Sequence, residues 1–349
     1  MVYRTFQPKV LAIGGGTGLS TMLRGLKGYT ENITAVVTVA DDGGGSGKLR
    51  DELNMLPPGD IRNCILALSG TEPIMEKLLR YRFDTGSLSG QSFGNLFLAA
   101  MNEIFSGDFV TAVKNVSDVL KVTGTVLPVT DGDVELVATL ENGQTVVGES
   151  RIGKCLDEFG SNIKSVELRR KDGGEVKLLA DVREKIREAD IITIGPGSLY
   201  TSVLSTLIVE DFAKELKEAK APVVYISNVM TQPGESDGYT AFDHVKAILE
   251  HTCPDFIDYC IVNDTKIDTP LMARYAEKYS EEVIFDEERF KGTNIKIVKK
   301  NLVGLIDNKY IRHNPDVLAQ TIVDIARIVC MSDVNEEGVR LYVPKKKRL

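Results

Sequence analysis

The chain has 349 residues, 43% of them hydrophobic and 26% charged, an ordinary globular balance that excludes disordered, collagenous and disulfide-framework classes. Lys and Arg number 42 against 50 Asp and Glu, a formal charge of −8, which disfavours nonspecific nucleic-acid binding through a broad basic field. No apolar run reaches the roughly 18 residues of a membrane span, the N-terminus lacks a signal-type apolar core, and the 5 cysteines contain no C-x-x-C pair, so a cytoplasmic protein is expected.

The first element is the apolar run KVLAI. It leads into IGGGTGLS and then a segment in which Leu19, Met22, Leu23 and Leu26 recur at helical spacing, giving strand, glycine turn and helix. Clustered glycines let backbone N–H groups approach an anion, and the helix N-terminus adds about half a positive charge. Gly14, Gly15, Gly16, Thr17 and Gly18 are therefore expected to hold a nucleotide phosphate. The dinucleotide fingerprint fails at Leu19, and no Gly-Lys-Ser/Thr follows. That disfavours a nicotinamide dehydrogenase and leaves NAD a candidate ligand without hydride chemistry.

The second strand, ITAVVTVA (33–40), is apolar throughout, as a parallel strand covered on both faces must be. It runs into ADDGGGSGKLR. Asp41 and Asp42 stand where a dinucleotide fold holds a ribose hydroxyl, and paired carboxylates also suit a hydrated Mg²⁺. Gly43 and Ser46 belong to a nest of N–H groups, and Lys48 is a candidate cation. In PPGDIRNCILAL, Asp60 is the expected helix N-cap, with Arg62 and Asn63 in the first turn facing the same crevice. Asn95, in GQSFGNLFLAAM, begins another helix. Helices are predicted over 60–69, 73–82, 92–105 and 108–120.

Residues 124–180 change character. VELVATL-ENGQ-TVVGES and KSVELRR-KDGG-EVKLLA each place β-rich runs around an Asn-Gly or Asp-Gly turn, predicting two hairpins. Strand–helix alternation then resumes with DIITI, the turn GPGS, a helix through about Lys217, the strand PVVYIS and the loop NVMTQPGESDG. Gly195, Gly197 and Ser198 form a second phosphate-sized cup, and Asn228 opens the loop. A helix over 239–251, the strand FIDYCIV, a helix over 269–278, short strands IKIVKK and LVG, and a helix over 315–330 complete the pattern.

These elements predict an α/β fold: a three-layer, doubly wound, Rossmann-like and mostly parallel sheet with a small antiparallel insertion. Residues 1–123 and 181–335 make one nucleotide-binding domain, 124–180 the insertion, and 336–349 a basic tail. Ligands of such sheets bind at the carboxyl ends of the strands. Two functional classes remain open: a nucleotide-binding factor, or a Mg²⁺-dependent nucleotidyl- or phospho-group transferase in which Asp41 and Asp42 hold metal and Lys48 or Arg62 counters phosphate charge.

In order along the chain, GGGTGLSTMLRGLK, VTVADDGGGSGKLR, PPGDIRNCILALS, SFGNLFLAA, GPGSLYTSVL and SNVMTQPGESDGYTAFDHV resemble the successive motifs of the YvcK (GlmR) gluconeogenesis-factor family, UPF0052, within the CofD-like superfamily. The resemblance implies a cytoplasmic factor that binds UDP-N-acetylglucosamine and regulates carbon flow to peptidoglycan precursors and cell shape under gluconeogenic growth. It places the Gly14 turn, the Asp41–Asp42 loop, Gly195 to Ser198 and Asn228 in the nucleotide-sugar crevice, and adds Arg312 of IRHNP. Pro315 stands where relatives often carry threonine, so the phosphorylatable hydroxyl is missing there. A regulator of this kind calls for a protein partner in amino-sugar synthesis, and a homo-oligomer is a candidate assembly. The superfamily also offers the alternative of phospholactyl or uridylyl transfer.

Overall fold

The computed structural model describes residues 6–267, 272, 275–277, 279–306 and 310–332. The basic tail 336–349 and most of the helix predicted over 269–278 lie outside the described residues.

Seven parallel strands form the main sheet: β1 (Val10–Gly14), β2 (Ile33–Val37), β3 (Thr125–Pro128), β7 (Ile191–Ile194), β8 (Val223–Ile226), β9 (Tyr259–Asn263) and β10 (Lys296–Lys300), in the order β10-β9-β8-β7-β1-β2-β3. Every residue of β1, β2, β7 and β8 is buried, which is why their sequences are apolar without alternation. The chain leaves β1 towards β2 and β3 on one side and returns at β7 on the other. The order of winding therefore reverses between β1 and β7, and that is where an open α/β sheet leaves a crevice. Helices flank the sheet, as the alternating pattern predicted. Among the described residues no helix is long and apolar enough to cross a membrane.

Helix α1 (Gly16–Leu26) buries Leu19, Met22, Leu23 and Leu26, the predicted stripe. It packs on the helix Pro315–Ser332, and a Cβ at Gly25 would overlap the Pro315 carbonyl. A mid-helix glycine, ordinarily unfavourable by about 1 kcal/mol, is explained here by close packing.

The antiparallel sheet comprises β4 (Val134–Leu140), β5 (Thr145–Val147) and β6 (Ile163–Arg170) in the order β5-β4-β6. Gly143, at φ +84°, turns β4 into β5 as the Asn-Gly pair predicted. The second predicted hairpin does not form. β6 pairs with β4 from Val134↔Arg170 to Leu140↔Ile163, and the run after Gly174 makes one bridge, Lys177↔Glu210, before entering the helix Ala180–Glu188. β3, within the 124–180 segment, is an edge strand of the main sheet.

The helix predicted through Lys217 is also broken. A π-helical turn, Leu199–Leu204, passes into Ser205–Leu207, and a new helix starts at Phe212 after Asp211 at φ +63°. The Ser205 and Thr206 hydroxyls bond back to the carbonyls of Thr201 and Ser202 at 2.6 and 2.7 Å, a habit that bends helices.

Candidate functional site

At the carboxyl ends of β1 and β7 lies a cavity of about 500 Å³, the size of a small-ligand site. One wall is Gly15 to Gly18, a second is Pro196 to Ser198 with Ser202, a third is the loop Asn228 to Pro233, and the fourth is Tyr275, Ser280 and Ile311 to His313. The turn needs glycine for two reasons. Gly16 sits at φ +65°, whereas a Cβ on Gly18 would come to 2.5 Å from the Pro196 carbonyl, so the two glycine turns touch back to back. The first-turn N–H groups of α1 lack helical partners; that of Gly16 donates to Asp60, while Thr17 and Gly18 line the cavity.

The second wall is held from behind. Ser198 Oγ donates to Gln232 Oε1 at 2.6 Å, and Gln232 Nε2 donates to Glu235 Oε1 at 2.7 Å. Glu235, 4% exposed, also accepts from the Tyr200 N–H at 3.1 Å and Thr201 Oγ1 at 2.8 Å. Its carboxylate thus closes the open N-terminus of the π-helical turn, although burial raises its pKa.

Arg312 is the one cation, and no carboxylate is present, among the described residues lining the cavity. It sits on β12 (Tyr310–His313), which pairs with β11 (Val303–Ile306) outside the main sheet. Its Nη1 donates to the Ile311 carbonyl at 2.7 Å. His313 Nε2 lies 3.0 Å from the Ser227 carbonyl. A carbonyl only accepts, so that nitrogen carries the hydrogen, and burial pushes the ring's pKa down to about 4, leaving it neutral at pH 7.

Of the residues expected from sequence, Gly15, Gly16, Thr17, Gly18, Gly197, Ser198, Asn228 and Arg312 line this cavity. Gly14 and Gly195 meet just beneath it, with 3.7 Å between the Gly14 Cβ direction and the Gly195 Cα. Asp41, Asp42, Gly43, Ser46, Lys48, Arg62, Asn63 and Asn95 are not among its lining residues. They gather beside it, around α2 (Gly44–Leu53) and α3 (Gly59–Leu68).

In this second zone Asp41 Oδ1 accepts the Gly43 N–H at 2.9 Å, and Asp42 Oδ1 accepts the Ser150 N–H at 2.8 Å. Asp42 therefore fastens the insertion to the acidic loop. Arg50, 3% exposed, does the same from α2: its Nε donates to Asp133 Oδ1 at 2.7 Å and its Nη2 to the Val134 carbonyl. Arg62 Nη1 donates to Asn95 Oδ1 at 2.7 Å and to Ser92 Oγ, and its Nη2 to Asn63 Oδ1 at 2.9 Å. Three predicted residues do meet, but around one another. Burial, with Arg82 and Arg80 nearby, brings the Arg62 pKa down to about 10.

Asp60 is not an N-cap. Pro58 holds that position, and Asp60, in the first turn, turns its Oδ2 to the Gly16 N–H at 2.7 Å. Burial, then the Asp41 charge, raises its pKa to about 6. Glu149, supplied by the insertion, is raised to about 8 by burial and then by Asp41, Glu235, Asp60 and Asp42. Among the described residues no three His, Cys, Asp or Glu side chains converge as cation ligands.

The comparisons with known proteins agree with this architecture. Residues 10–303 match the family model described as 2-phospho-L-lactate transferase CofD. A putative gluconeogenesis factor of Thermoanaerobacterium thermosulfurigenes is 54% identical over 91% of this chain and 97% of its own; the gluconeogenesis factor of Bacillus subtilis is 47% identical over 92% and 99%. The crystal structure of a UPF0052-family protein from Bacillus halodurans superposes with a TM-score of 0.86 at 46% identity, covering 90% of this chain and 99% of that one. The chain belongs to the gluconeogenesis-factor (UPF0052) branch of the CofD family. Its site joins residues from both ends of the family motif series. Ser202, Gln232, Tyr275 and His313 complete the gluconeogenesis-factor cavity without having stood out as ligand contacts: Ser202 was visible only as part of a strand–turn–helix, Gln232 as one polar residue in a polar loop, and Tyr275 and His313 carry no spacing signal.

Proposed function

We propose that the cavity binds a nucleotide sugar, UDP-N-acetylglucosamine, and that the chain is a ligand-responsive factor coupling that nucleotide sugar to carbon flow into cell-wall precursors and to cell shape during gluconeogenic growth. The observation carrying this reading is the pairing of the α1 N-terminus with Arg312 across a cavity whose described lining contains no carboxylate. A diphosphate there meets the first-turn backbone of Thr17 and Gly18 on one side and a guanidinium on the other, both suited to phosphate oxygens. The gluconeogenesis-factor names of the relatives support the link to gluconeogenic growth.

Thermal unfolding and calorimetry with UDP-N-acetylglucosamine test the proposal. At a hundredfold excess over Kd the ligand should add about 2.7 kcal/mol to the unfolding free energy. UDP-glucose, GDP and NAD serve as comparison ligands. No stabilisation by any UDP-sugar overturns the reading.

The contact of Asp60 with Gly16 favours a second reading, because it brings the acidic zone to the edge of the phosphate turn. In that case the chain is a Mg²⁺-dependent nucleotidyl- or phospho-group transferase, as the CofD description suggests. Asp41 and Asp42 are the carboxylates offered to a hydrated Mg²⁺, with Asp42 Oδ1 already accepting the Ser150 N–H. Bound there, the ion would neutralise phosphate charge. Pyrophosphate release from UTP and N-acetylglucosamine 1-phosphate, lost in Asp42→Asn with UDP-sugar binding retained, distinguishes this reading from the first.

A further inference from the structure

We propose that Tyr275 and His313 are positioning residues that fix Arg312 in the cavity by latching its hairpin from both sides. The proposal rests on the nucleotide-sugar reading above.

The β11–β12 hairpin pairs with no strand of the main sheet. Its orientation must come from other contacts, and two of them flank Arg312 directly. The Ile311 backbone N–H donates to the Tyr275 hydroxyl at 2.7 Å, and His313 Nε2–H donates to the Ser227 carbonyl at 3.0 Å. The first latch uses an N–H on the open edge of β12, since Ile311 stands opposite Leu305 in the ladder and sends that hydrogen elsewhere. The second ties the hairpin to the residue before Asn228, which lines the facing wall.

Strand alternation explains why these neighbours set the arginine. Ile311 and His313 are buried on one face, so Arg312 projects from the other. The residue paired with Arg312 across the hairpin is Gly304, which offers no side chain to steady the guanidinium. Its position is therefore inherited from the backbone, and the backbone from the two latches. A donor placed within a few tenths of an ångström of a phosphate oxygen depends on such support.

Tyr275→Phe removes one hydroxyl, His313→Leu removes the imidazole donor, and His313→Gln keeps an N–H of similar reach. With the full chain and UDP-N-acetylglucosamine, Tyr275→Phe and His313→Leu should each raise Kd about tenfold, and His313→Gln should recover part of that loss. In an Arg312→Ala background the same two substitutions should change Kd by under about twofold, because no guanidinium remains to be positioned. Full, additive losses in that background overturn the proposal. A ligand-free readout separates it from the reading beneath it: amide exchange at Ile311 to His313 in the free protein should accelerate in Tyr275→Phe and His313→Leu. Unchanged exchange in both overturns the latch, whereas failure of the wild-type chain to bind any UDP-sugar overturns the nucleotide-sugar reading and leaves the exchange result to decide the latch.

Discussion

The carboxylate of Asp60 accepts the backbone N–H of Gly16 at 2.7 Å. A side chain from the start of α3 thus occupies the first turn of α1, the same turn that faces the cavity. In the free protein an acid holds one of the hydrogens an incoming phosphate would use. Burial and Asp41 make that carboxylate expensive to ionise, with a pKa raised to about 6.

The sign of the resulting pH dependence follows from linkage. Between roughly pH 4 and 6 the folded chain keeps a proton on Asp60 that the unfolded chain has released, so this contribution to stability falls as pH rises through that window. Asp60→Asn keeps an oxygen for Gly16 and cannot ionise. It should raise the unfolding free energy at pH 7 by about 1 to 3 kcal/mol and flatten the stability profile between pH 4 and 6. Denaturant titrations of both proteins across that range check it, and equal slopes would falsify it.

Gly18 is predicted to be intolerant of even one added carbon. Its Cβ would meet the Pro196 carbonyl at 2.5 Å, and backbone on both sides leaves no flexible side chain to yield. Gly18→Ala should destabilise the chain by about 1 to 3 kcal/mol and weaken UDP-sugar binding by separating the two turns. A thermal midpoint equal to that of the wild type would show that the turns separate freely.

Arg50 should matter far more to stability than its distance from the cavity suggests. Its guanidinium is buried against Asp133 and the Val134 carbonyl. Arg50→Ala removes a buried guanidinium and leaves Asp133, one-third exposed, with Lys171 as its remaining partner, a change that costs about 1 to 3 kcal/mol. Urea unfolding should register that loss, and proteolysis should cut the insertion before the main sheet. An Arg50→Ala protein with wild-type stability excludes the anchoring role.

Arg312→Ala is expected to behave in the opposite way. The side chain bonds only to its own strand's Ile311 carbonyl among the hydrogen bonds found for it, so unfolding should change by under about 0.5 kcal/mol. Removing a charge-assisted contact should nevertheless weaken nucleotide-sugar binding by about 2 kcal/mol or more. Calorimetry beside a melting curve separates the two effects, and unaltered affinity removes Arg312 from the site.

Much of the fold was legible because its signals are local. Apolar strands followed by glycine turns and amphipathic helices announced the parallel sheet, and the Asn142-Gly143 turn announced one hairpin. The Asp172-Gly173 turn gave a false signal: it shows that a turn dipeptide fixes a reversal but not the strand on its far side, which β4 decided by pairing with β6. Asp60 misled for a related reason. Its local pattern is that of a cap, while its actual partner, Gly16, belongs to another helix. The cavity's glycines, Ser198, Asn228 and Arg312 were legible from motifs and resemblance; the grouping of Arg62 with Asn63 and Asn95 into a self-contained cluster was not, because that depends on how two helix starts meet.

The insertion has one more consequence. Its Ser150 N–H is held by Asp42, and its Gly153 carbonyl lies against Gly234, near Glu235. The turn at Ser150 to Gly153 is therefore hydrogen-bonded to the loop after β2 and packs closely against the loop after β8, on opposite sides of the winding reversal. The segment thus touches loops from both halves of the winding. Shortening it would therefore disturb both of those loops before it disturbed the sheet.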